Sequence, residues 1–309
     1  MKILLTGSSG LVGSAIKRNL VQNGVYEVIA PSSKELDLLQ SELTSEYIRR
    51  NKPDLIIAAA ALVGGINANL VRPMDFLIRN LEMQSNLIGS ATLHGIRRLI
   101  FISSSCVYQK SQKPLVEEDF LMGPPDENTR AYGIAKIAGM ELIRVARLAS
   151  NVNFTSIIPC NLYGPHDNFN TERSHVIPAL LRKFHDAKVT NSPAVEVWGS
   201  PEVRREFMHS YDLANAVKEL INTEEWQWAY NSGTGIPTSI GELASTIAEI
   251  VGYRGTIFFN NRKPRGIEAK LLDSSRLRLT GWNPVISLRN GLLDTYRWML
   301  SNLSTLRDI

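Results

Sequence analysis

The stretch "GSSGLVG", residues 7–13, decides the fold class of this chain. Its glycines, Gly7, Gly10 and Gly13, follow a predicted strand at 2–6 and open a predicted helix at 11–23. Glycine allows a tight turn and a close approach of the backbone to a ligand, and the first turn of a helix presents unpaired N–H groups to an anion. A glycine pattern alone is a weak signal, but here it begins the first strand–helix unit. We interpret it as a dinucleotide-binding turn, with an ordinary glycine turn as the alternative.

The first half of the chain continues this alternation of short apolar strands and longer periodic helices. In chain order the predicted elements are 2–6, 11–23, 26–30, 41–51, 54–59, 73–94, 98–103, 131–150 and 153–159. Near-continuous apolar strands separated by helices are typical of a parallel sheet covered on both faces. The pattern predicts an α/β fold with a doubly wound parallel sheet of the Rossmann type.

The alternation ends near residue 163, where Gly, Pro, Asn and Asp become frequent in "YGPHDNFN". We expect a smaller α/β C-terminal unit that binds the substrate. The predicted division assigns 1–162 plus 207–232 to the dinucleotide-binding domain and 163–206 plus 233–309 to the substrate domain.

Composition argues against several classes of protein. The 309 residues are 44% hydrophobic, enough for a sizeable core. Two cysteines cannot form a disulfide framework, so we predict a reducing compartment and a cytoplasmic location. The longest apolar stretch, 55–66, is too short to cross a bilayer, and a strand beginning at residue 2 is not a signal peptide. A net charge of +4 without a block of lysines and arginines argues against nucleic acid and suits an anionic small molecule. We predict no membrane or nucleic-acid partner and no metal.

The residues after the second predicted strand bear on the choice between NAD and NADP. An acidic residue here would bind the ribose 2′-hydroxyl and repel a 2′-phosphate. The sequence has Ser32, Ser33 and Lys34 instead. Hydroxyl groups and a cation favour NADP(H). Asp37 and Leu38 are candidates to meet the adenine, with a helix cap as the alternative for Asp37.

The motif "YGIAK" places Tyr132 and Lys136 four residues apart at the start of a predicted helix, and hence on one face. Reduction of a ketone needs an acid that protonates its oxygen as hydride arrives. A phenol beside an ammonium group suits that role, because the ammonium favours the phenolate. The spacing alone is common and usually marks a surface pair. Its combination with the glycine turn and a serine-rich strand end indicates a catalytic pair.

Together these motifs resemble the extended short-chain dehydrogenases/reductases. The resemblance implies that Ser104 is the catalytic serine, with Tyr132 as the acid/base and Lys136 as its partner. Ser103 and Ser105 are then expected to bind neighbouring backbone.

Longer stretches are similar to one family in that group, the GDP-L-fucose synthases. They are "AAALVGGI" (59–66), "SSCVY" (104–108), "YGIAKIAG" (132–139), "NLYGPHDNF" (161–169), "SHVIPALL" (174–181), "VWGS" (197–200) and "LLDSSRLRLTGW" (271–282). The resemblance covers essentially the whole chain. It implies NADPH-dependent 3,5-epimerisation and 4-reduction of GDP-4-keto-6-deoxy-D-mannose to GDP-L-fucose. It also implies a homodimer with a four-helix interface built from the helices at 73–94 and 131–150.

In that family a cysteine and a histidine move the ring protons, and they correspond to Cys106 and His175. A cysteine works as a base where its thiolate is accessible and supported by a cation or a polar site. The implied substrate-binding residues are Ser104, Cys106, Asn161, Lys183, Trp198, Arg205 and Arg265. The expected cofactor-binding residues are Gly7, Ser9, Gly10, Leu11, Val12, Gly13, Ser32, Ser33, Lys34, Asp37, Leu38, Ala59, Ala60, Ala61, Ser103, Tyr132, Lys136, Pro159, Asn161, Leu162 and His175.

Each residue also has a plain structural interpretation. Cys106 could fill the core, His175 could cap a helix, His166 could belong to a turn and Trp198 could simply pack. The chain departs from the family pattern as well, above all at Arg265, where the family usually carries a carboxylate. The other departures are Ser9, Ser33, Leu62 and Gln109.

These departures keep two further functions open. One is an epimerase/reductase or a simple 4-reductase of another GDP-4-keto sugar, such as a 3,6-dideoxy sugar or a heptose. The other is a non-catalytic nucleotide-binding regulatory protein on the same fold, which would not need to keep all five catalytic side chains.

Overall fold

A parallel six-stranded sheet forms the centre of the computed structural model, which describes residues 1–22, 24–260 and 270–306. Its strands are β1 (Lys2–Thr6), β2 (Glu27–Ile29), β3 (Leu55–Ala58), β4 (Arg98–Ile102), β5 (Asn153–Pro159) and β9 (Ala229–Ser232). Every neighbouring pair runs parallel, in the order β2-β1-β3-β4-β5-β9. Ile3, Leu4 and Leu5 of β1 are fully buried, and each such side chain stabilises the fold by roughly 1.5–3 kcal/mol.

Helices cover both faces of this sheet, which confirms the doubly wound prediction. They are α1 (Leu11–Gln22), α2 (Ser41–Asn51), α4 (Pro73–Leu93), α5 (Arg130–Ala149) and α7 (Ser210–Asn222). Helix α1 packs against α7, whereas α4 packs against both α2 and α5. The predicted ends of α1, α2, α4 and α5 differ from the observed ones by no more than one residue, whereas no prediction was made for α7. A short helix, α3 (Ile66–Val71), was not predicted.

The strand order creates a crevice beside β1. The chain moves from β1 outward to β2 and then returns to the other side of β1 as β3. In such sheets ligands bind outside the carboxyl ends of the strands at this reversal. The glycine turn after β1 and the alanines after β3 therefore meet at one place.

The rest of the described chain builds a second buried cluster of side chains beside this crevice. Its strands are β6 (Asn161–Tyr163), β7 (Ala194–Trp198), β8 (Arg204–His209), β10 (Pro237–Ser239) and β11 (Thr256–Asn260). Its helices are α6 (Val176–Val189), α8 (Ile240–Val251) and α10 (Leu288–Ser301), whereas α9 (Ser275–Arg278) packs against β9 in the first cluster. Strands β10, β8 and β6 form a mixed sheet, and β11 pairs with β7. The exact domain boundaries given above stay a prediction.

Within the described ranges no helix has the length and apolar character that a membrane span requires. The same residues contain no group of three or more His, Cys, Asp or Glu side chains arranged to hold a metal ion.

Candidate active site

A cavity of about 710 Å³ opens at the crevice beside β1. Ligand sites in proteins typically measure about 300–1,000 Å³. The predicted site residues in its wall are Gly7, Ser9, Gly10, Leu11, Val12, Gly13, Ala59, Ala60, Ala61, Ser103, Ser104, Cys106, Tyr132, Lys136, Pro159, Asn161, Leu162, His175 and Arg205. The predicted residues Ser32, Ser33, Lys34, Asp37, Leu38, Lys183 and Trp198 are not part of this wall. Arg265 lies outside the described residues.

The glycine turn packs too tightly for side chains at two of its three glycines. A Cβ on Gly7 would lie 2.7 Å from the backbone of Ala60, and the φ angle of Gly7 is +69°. A Cβ on Gly13 would lie 2.1 Å from the carbonyl oxygen of Gly7. At Gly10 the nearest atom is 3.6 Å away, so this residue leaves open space. The first turn of α1 thus sits against the strand ends with its N–H groups beside the cavity, as a dinucleotide pyrophosphate requires.

This packing makes a stability prediction. Gly13→Ala is expected to lower the free energy of unfolding by at least about 2 kcal/mol, because its methyl group overlaps backbone that has no room to move. Gly10→Ala is the matched control, with an expected change below about 1 kcal/mol from the lost backbone freedom of glycine. Urea unfolding followed by circular dichroism measures both. Equal stability of the two variants would contradict the packing argument.

Tyr132 and Ser104 meet inside the cavity. The Tyr132 ring is buried and packs edge-to-face on Phe76, with the ring centres 6.4 Å apart. Burial raises the pKa of Tyr132 above its ordinary value and Cys106 adds to the rise, whereas a hydrogen bond with the Ser104 hydroxyl lowers it. The phenol is therefore neutral at physiological pH and can donate a proton.

In the free protein the Lys136 ammonium bonds to backbone at the end of β4. Its ammonium donates a 2.8 Å hydrogen bond to the carbonyl oxygen of Ile102 and lies 5.8 Å from the centre of the Tyr132 ring. Burial lowers the pKa of Lys136 to about 7. The free protein therefore has a protonated phenol beside a lysine that titrates near neutrality, because burial outweighs the attraction between ammonium and phenolate.

Cys106 stands on a short 3-10 helix, Ser105–Val107, that follows β4 directly. The Ser104 hydroxyl accepts a 3.2 Å hydrogen bond from the Cys106 N–H and so starts this helix. A Cβ at Gly133 would lie 2.7 Å from the Cys106 carbonyl oxygen, so this glycine lets α5 approach the thiol's turn closely. Val107 is buried, whereas Cys106 is half-exposed and lines the cavity, which does not fit the core-filling interpretation.

His175 is the residue directly before α6, but its side chain makes no capping hydrogen bond there. The loop "VGGI" positions it: the Gly65 N–H donates to the Arg173 carbonyl oxygen at 2.8 Å, and a Cβ on Gly65 would lie 2.3 Å from the Ser174 carbonyl oxygen. Burial lowers the pKa of His175. His175 and Cys106 both line the cavity, so the two predicted proton-transfer residues belong to one site.

His166 also borders the cavity, but its role in the turn is evident. Its backbone is left-handed, with φ +67°, and its ring packs at a tilt against Trp298, with 4.7 Å between the ring centres. These contacts favour the turn interpretation of His166.

Polar and charged groups complete the wall on the side of the second cluster. Asn161 donates from its amide to the Glu206 carbonyl oxygen at 2.9 Å. Burial lowers the pKa of the Arg205 guanidinium, and Asp126 opposes this shift. Lys183 lies outside the wall, 4.6 Å from the ring centre of Trp198. Of the predicted substrate-binding residues that the structure describes, four line the cavity: Ser104, Cys106, Asn161 and Arg205. Lys183 and Trp198 form a separate pair outside it.

Asp126, Asp167 and Lys270 are three charged wall residues to which the sequence reasoning gave no role. Asp126 and Lys270 lie outside the quoted motifs, whereas Asp167 lies within "NLYGPHDNF". Asp167 is buried, one of its carboxylate oxygens has no hydrogen-bond partner, and burial raises its pKa to about 7. The nearest available signal for Lys270 was its place directly before "LLDSSRL".

The loop after β2 is exposed. Ser32 donates from its N–H and its hydroxyl to the Glu35 carboxylate, both at 2.8 Å. Ser33 and Lys34 remain exposed beside it. Asp37 accepts from the Leu39 N–H at 3.1 Å, which is the local capping contact considered as its alternative role. The adenine contact of Asp37 and Leu38 stays a prediction.

Comparisons with known proteins identify the family of this chain. The model of the NAD dependent epimerase/dehydratase family matches residues 3–233. A GDP-L-fucose synthase of Escherichia coli is 42% identical over 316 residues, covering 99% of this chain and 98% of that protein. A GDP-L-colitose synthase of Yersinia pseudotuberculosis is 40% identical, covering 97% and 98%.

A solved structure extends the likeness. A GDP-mannoheptose C4 reductase from Campylobacter jejuni with NADP bound superposes with a TM-score of 0.85 at 31% identity, covering 97% of this chain and 98% of that one. With a match over most of its length and relatives above 40% identity, the chain belongs to the NAD dependent epimerase/dehydratase family, in the group that contains the GDP-L-fucose synthases.

Proposed function

We propose that this protein converts GDP-4-keto-6-deoxy-D-mannose to GDP-L-fucose by 3,5-epimerisation and NADPH-dependent 4-reduction. The observation that carries the proposal is the cavity itself. It brings a reductase set, Ser104, Tyr132 and Lys136, together with the two candidate proton-transfer residues Cys106 and His175. A simple reductase needs only the first set.

The ketone explains why both sets share one cavity. A C4 carbonyl acidifies the hydrogens on C3 and C5, so the Cys106 thiolate can remove such a proton while the enolate charge collects on oxygen. Ser104 and Tyr132 are the hydrogen-bond donors for that oxygen. His175 returns a proton to the ring from the other side. Tyr132 then protonates the C4 oxygen during reduction.

The residues around the crevice fit a dinucleotide. NADPH, when bound, supplies the hydride that reaches C4. The turn at 7–13 and the first turn of α1 would hold its pyrophosphate, and the strand ends at Ala59–Ala61 would border it. Arg205 suits the substrate diphosphate, which a guanidinium can bind through two parallel hydrogen bonds.

A second candidate is supported by the relatives. One is named GDP-L-colitose synthase and another GDP-mannoheptose C4 reductase, so a different GDP-4-keto sugar is the main competitor. The test offers purified protein and NADPH three GDP-4-keto sugars in parallel: the 6-deoxy, the 3,6-dideoxy and the heptose form. The proposal expects the highest kcat/KM with the 6-deoxy sugar and GDP-L-fucose as its product. Preference for either other sugar would overturn it. No turnover with any sugar would favour the non-catalytic alternative.

The preference for NADPH gives a second prediction. Lys34→Glu is expected to lower the ratio of kcat/KM with NADPH to kcat/KM with NADH by at least about 10-fold, because it replaces a cation with a group that repels a 2′-phosphate. Lys52→Glu, at the end of α2 and before β3, is the charge-matched control and should leave the ratio unchanged. Steady-state kinetics with both cofactors decides. An unchanged ratio in Lys34→Glu would remove this residue from the cofactor site.

We also propose a homodimer whose interface is formed by α4 and α5 of both copies. These helices pack on one another and leave large apolar side chains exposed, including Met74, Ile78, Val145 and Leu148. Leu148 is 87% exposed. Several exposed apolar side chains on two packed helices are typical of an interaction surface. The same two helices of a second copy would cover this surface and complete a four-helix interface.

Val145→Glu is therefore expected to convert the dimer to a monomer, because it places a charge in the centre of an apolar interface. Sedimentation velocity should give twice 34.4 kDa for the unaltered protein and 34.4 kDa for the variant. Val21→Glu on α1 is the matched control, since Val21 is exposed to a similar extent, and it should remain dimeric. An unaltered protein that sediments as a monomer would contradict the interface.

A further inference from the structure

Lys270 is a cation in the cavity wall that has no role in the chemistry proposed above. Its ammonium donates a 2.8 Å hydrogen bond to the Ser105 carbonyl oxygen and lies 3.4 Å from the Tyr108 carbonyl oxygen. These carbonyl groups belong to the two ends of the short turn that carries Cys106. Lys270 and Cys106 both line the cavity. The lysine therefore contacts the thiol's own turn from a segment 165 residues further along the chain.

Lys270 also interacts electrostatically with the charged and titratable groups around the Cys106 thiol. Burial lowers the pKa of Lys270, and Arg205 lowers it further, whereas Cys106 and Asp126 raise it. The lysine and the cysteine thus interact electrostatically within the cavity. The other titratable neighbour of the thiol is Tyr132, which is neutral because burial raises its pKa.

We propose that Lys270 is the positioning and charge-balancing residue of Cys106, holding its turn in place and stabilising the thiolate with an adjacent ammonium. The thiol first loses its proton to water, which leaves a thiolate beside the ammonium. The thiolate then takes the ring proton, the S–H bond forms, and the electron pair of the broken C–H bond moves to the ketone oxygen. In this step Lys270 neither gives nor takes a proton. The use of the thiolate in this step rests on the proposed function, whereas the charge pair itself belongs to the free protein.

Alkylation of the free protein tests the pair without any sugar substrate. Iodoacetamide forms an S–C bond with the thiolate and releases iodide, and mass spectrometry of digested protein reports the rate at Cys106. At pH 7.5 Lys270→Met is expected to slow alkylation by about 10-fold, whereas Lys270→Arg should stay within about 3-fold of the unaltered protein. At pH 10 the Met variant should approach the unaltered rate, because the thiol then ionises without help.

Lys270→Gln separates charge from hydrogen bonding, since its amide can still donate to a carbonyl group but carries no charge. The proposal expects Gln to alkylate as slowly as Met at pH 7.5. A Gln rate equal to that of the unaltered protein would overturn it. A Gln variant that remains slow at pH 10 would also overturn it, because a turn that keeps its hydrogen bond and lacks only the charge should then react at the unaltered rate. The expected alkylation pattern without sugar turnover would leave the charge pair standing and refute only the proposed function.

Discussion

Tyr132→Phe is expected to reduce NADPH oxidation with GDP-4-keto-6-deoxy-D-mannose by about 10³-fold, within the range for loss of a general acid. The phenyl ring keeps the edge-to-face contact with Phe76, so the fold and the cavity shape should persist. Only the hydroxyl bonded to Ser104 disappears. Single-turnover absorbance at 340 nm measures the rate, and NADPH fluorescence titration should show an affinity within about 2-fold of the unaltered protein.

A second tyrosine provides the matched control. Tyr108 is fully buried, and its hydroxyl donates a 2.8 Å hydrogen bond to the Asn231 side-chain oxygen. Tyr108→Phe should therefore cost about 1–2 kcal/mol of unfolding free energy and leave the reduction rate nearly unchanged. If Tyr132→Phe lost less than about 10-fold in rate, another group would be the proton donor.

Cys106→Ser is expected to slow the exchange of ring hydrogens with solvent by about 10²-fold or more, because a serine hydroxyl at this place ionises far less readily than a thiol. Any sugar that this variant reduces should carry no solvent deuterium at C3 or C5. His175→Gln should also abolish inversion, since the amide cannot return a proton to the ring. Proton NMR of the sugar in deuterated water follows the exchange at each carbon.

Cys160→Ala is the control for the first of these changes. Cys160 is the other free cysteine and is buried, and burial raises its pKa well above the ordinary value. Its removal should leave exchange at the unaltered rate. If Cys106→Ser exchanged normally, the thiol would not be the base, and the cavity would have to be read as that of a simple reductase.

Much of the fold follows from local sequence patterns. The apolar run 99–102 predicted a buried strand, and it lies in β4 (Arg98–Ile102). The helix at 41–51 was predicted with its observed bounds, since polar and apolar positions alternate there with helical period. By contrast, α3 has only six residues directly after Gly64 and Gly65, too few for a periodic signal.

The site residues that lie in sequence motifs were predictable, whereas those brought in by contacts between distant parts of the chain were not. Ser104, Cys106, Tyr132 and His175 came from motifs, and all four line one cavity. Lys270 was missed because its contact with the Ser105 carbonyl spans 165 residues of sequence. No local pattern encodes such a contact. The geometry of Lys136 was likewise beyond the sequence, because its partner is a backbone carbonyl group at the end of β4.

The most direct test of the account is the reaction of the unaltered protein with NADPH and GDP-4-keto-6-deoxy-D-mannose in deuterated water. The account predicts GDP-L-fucose that carries deuterium at both C3 and C5, with one NADPH oxidised for each sugar formed. A reduced sugar without ring deuterium would contradict it, because Cys106 and His175 would then have no part in the chemistry.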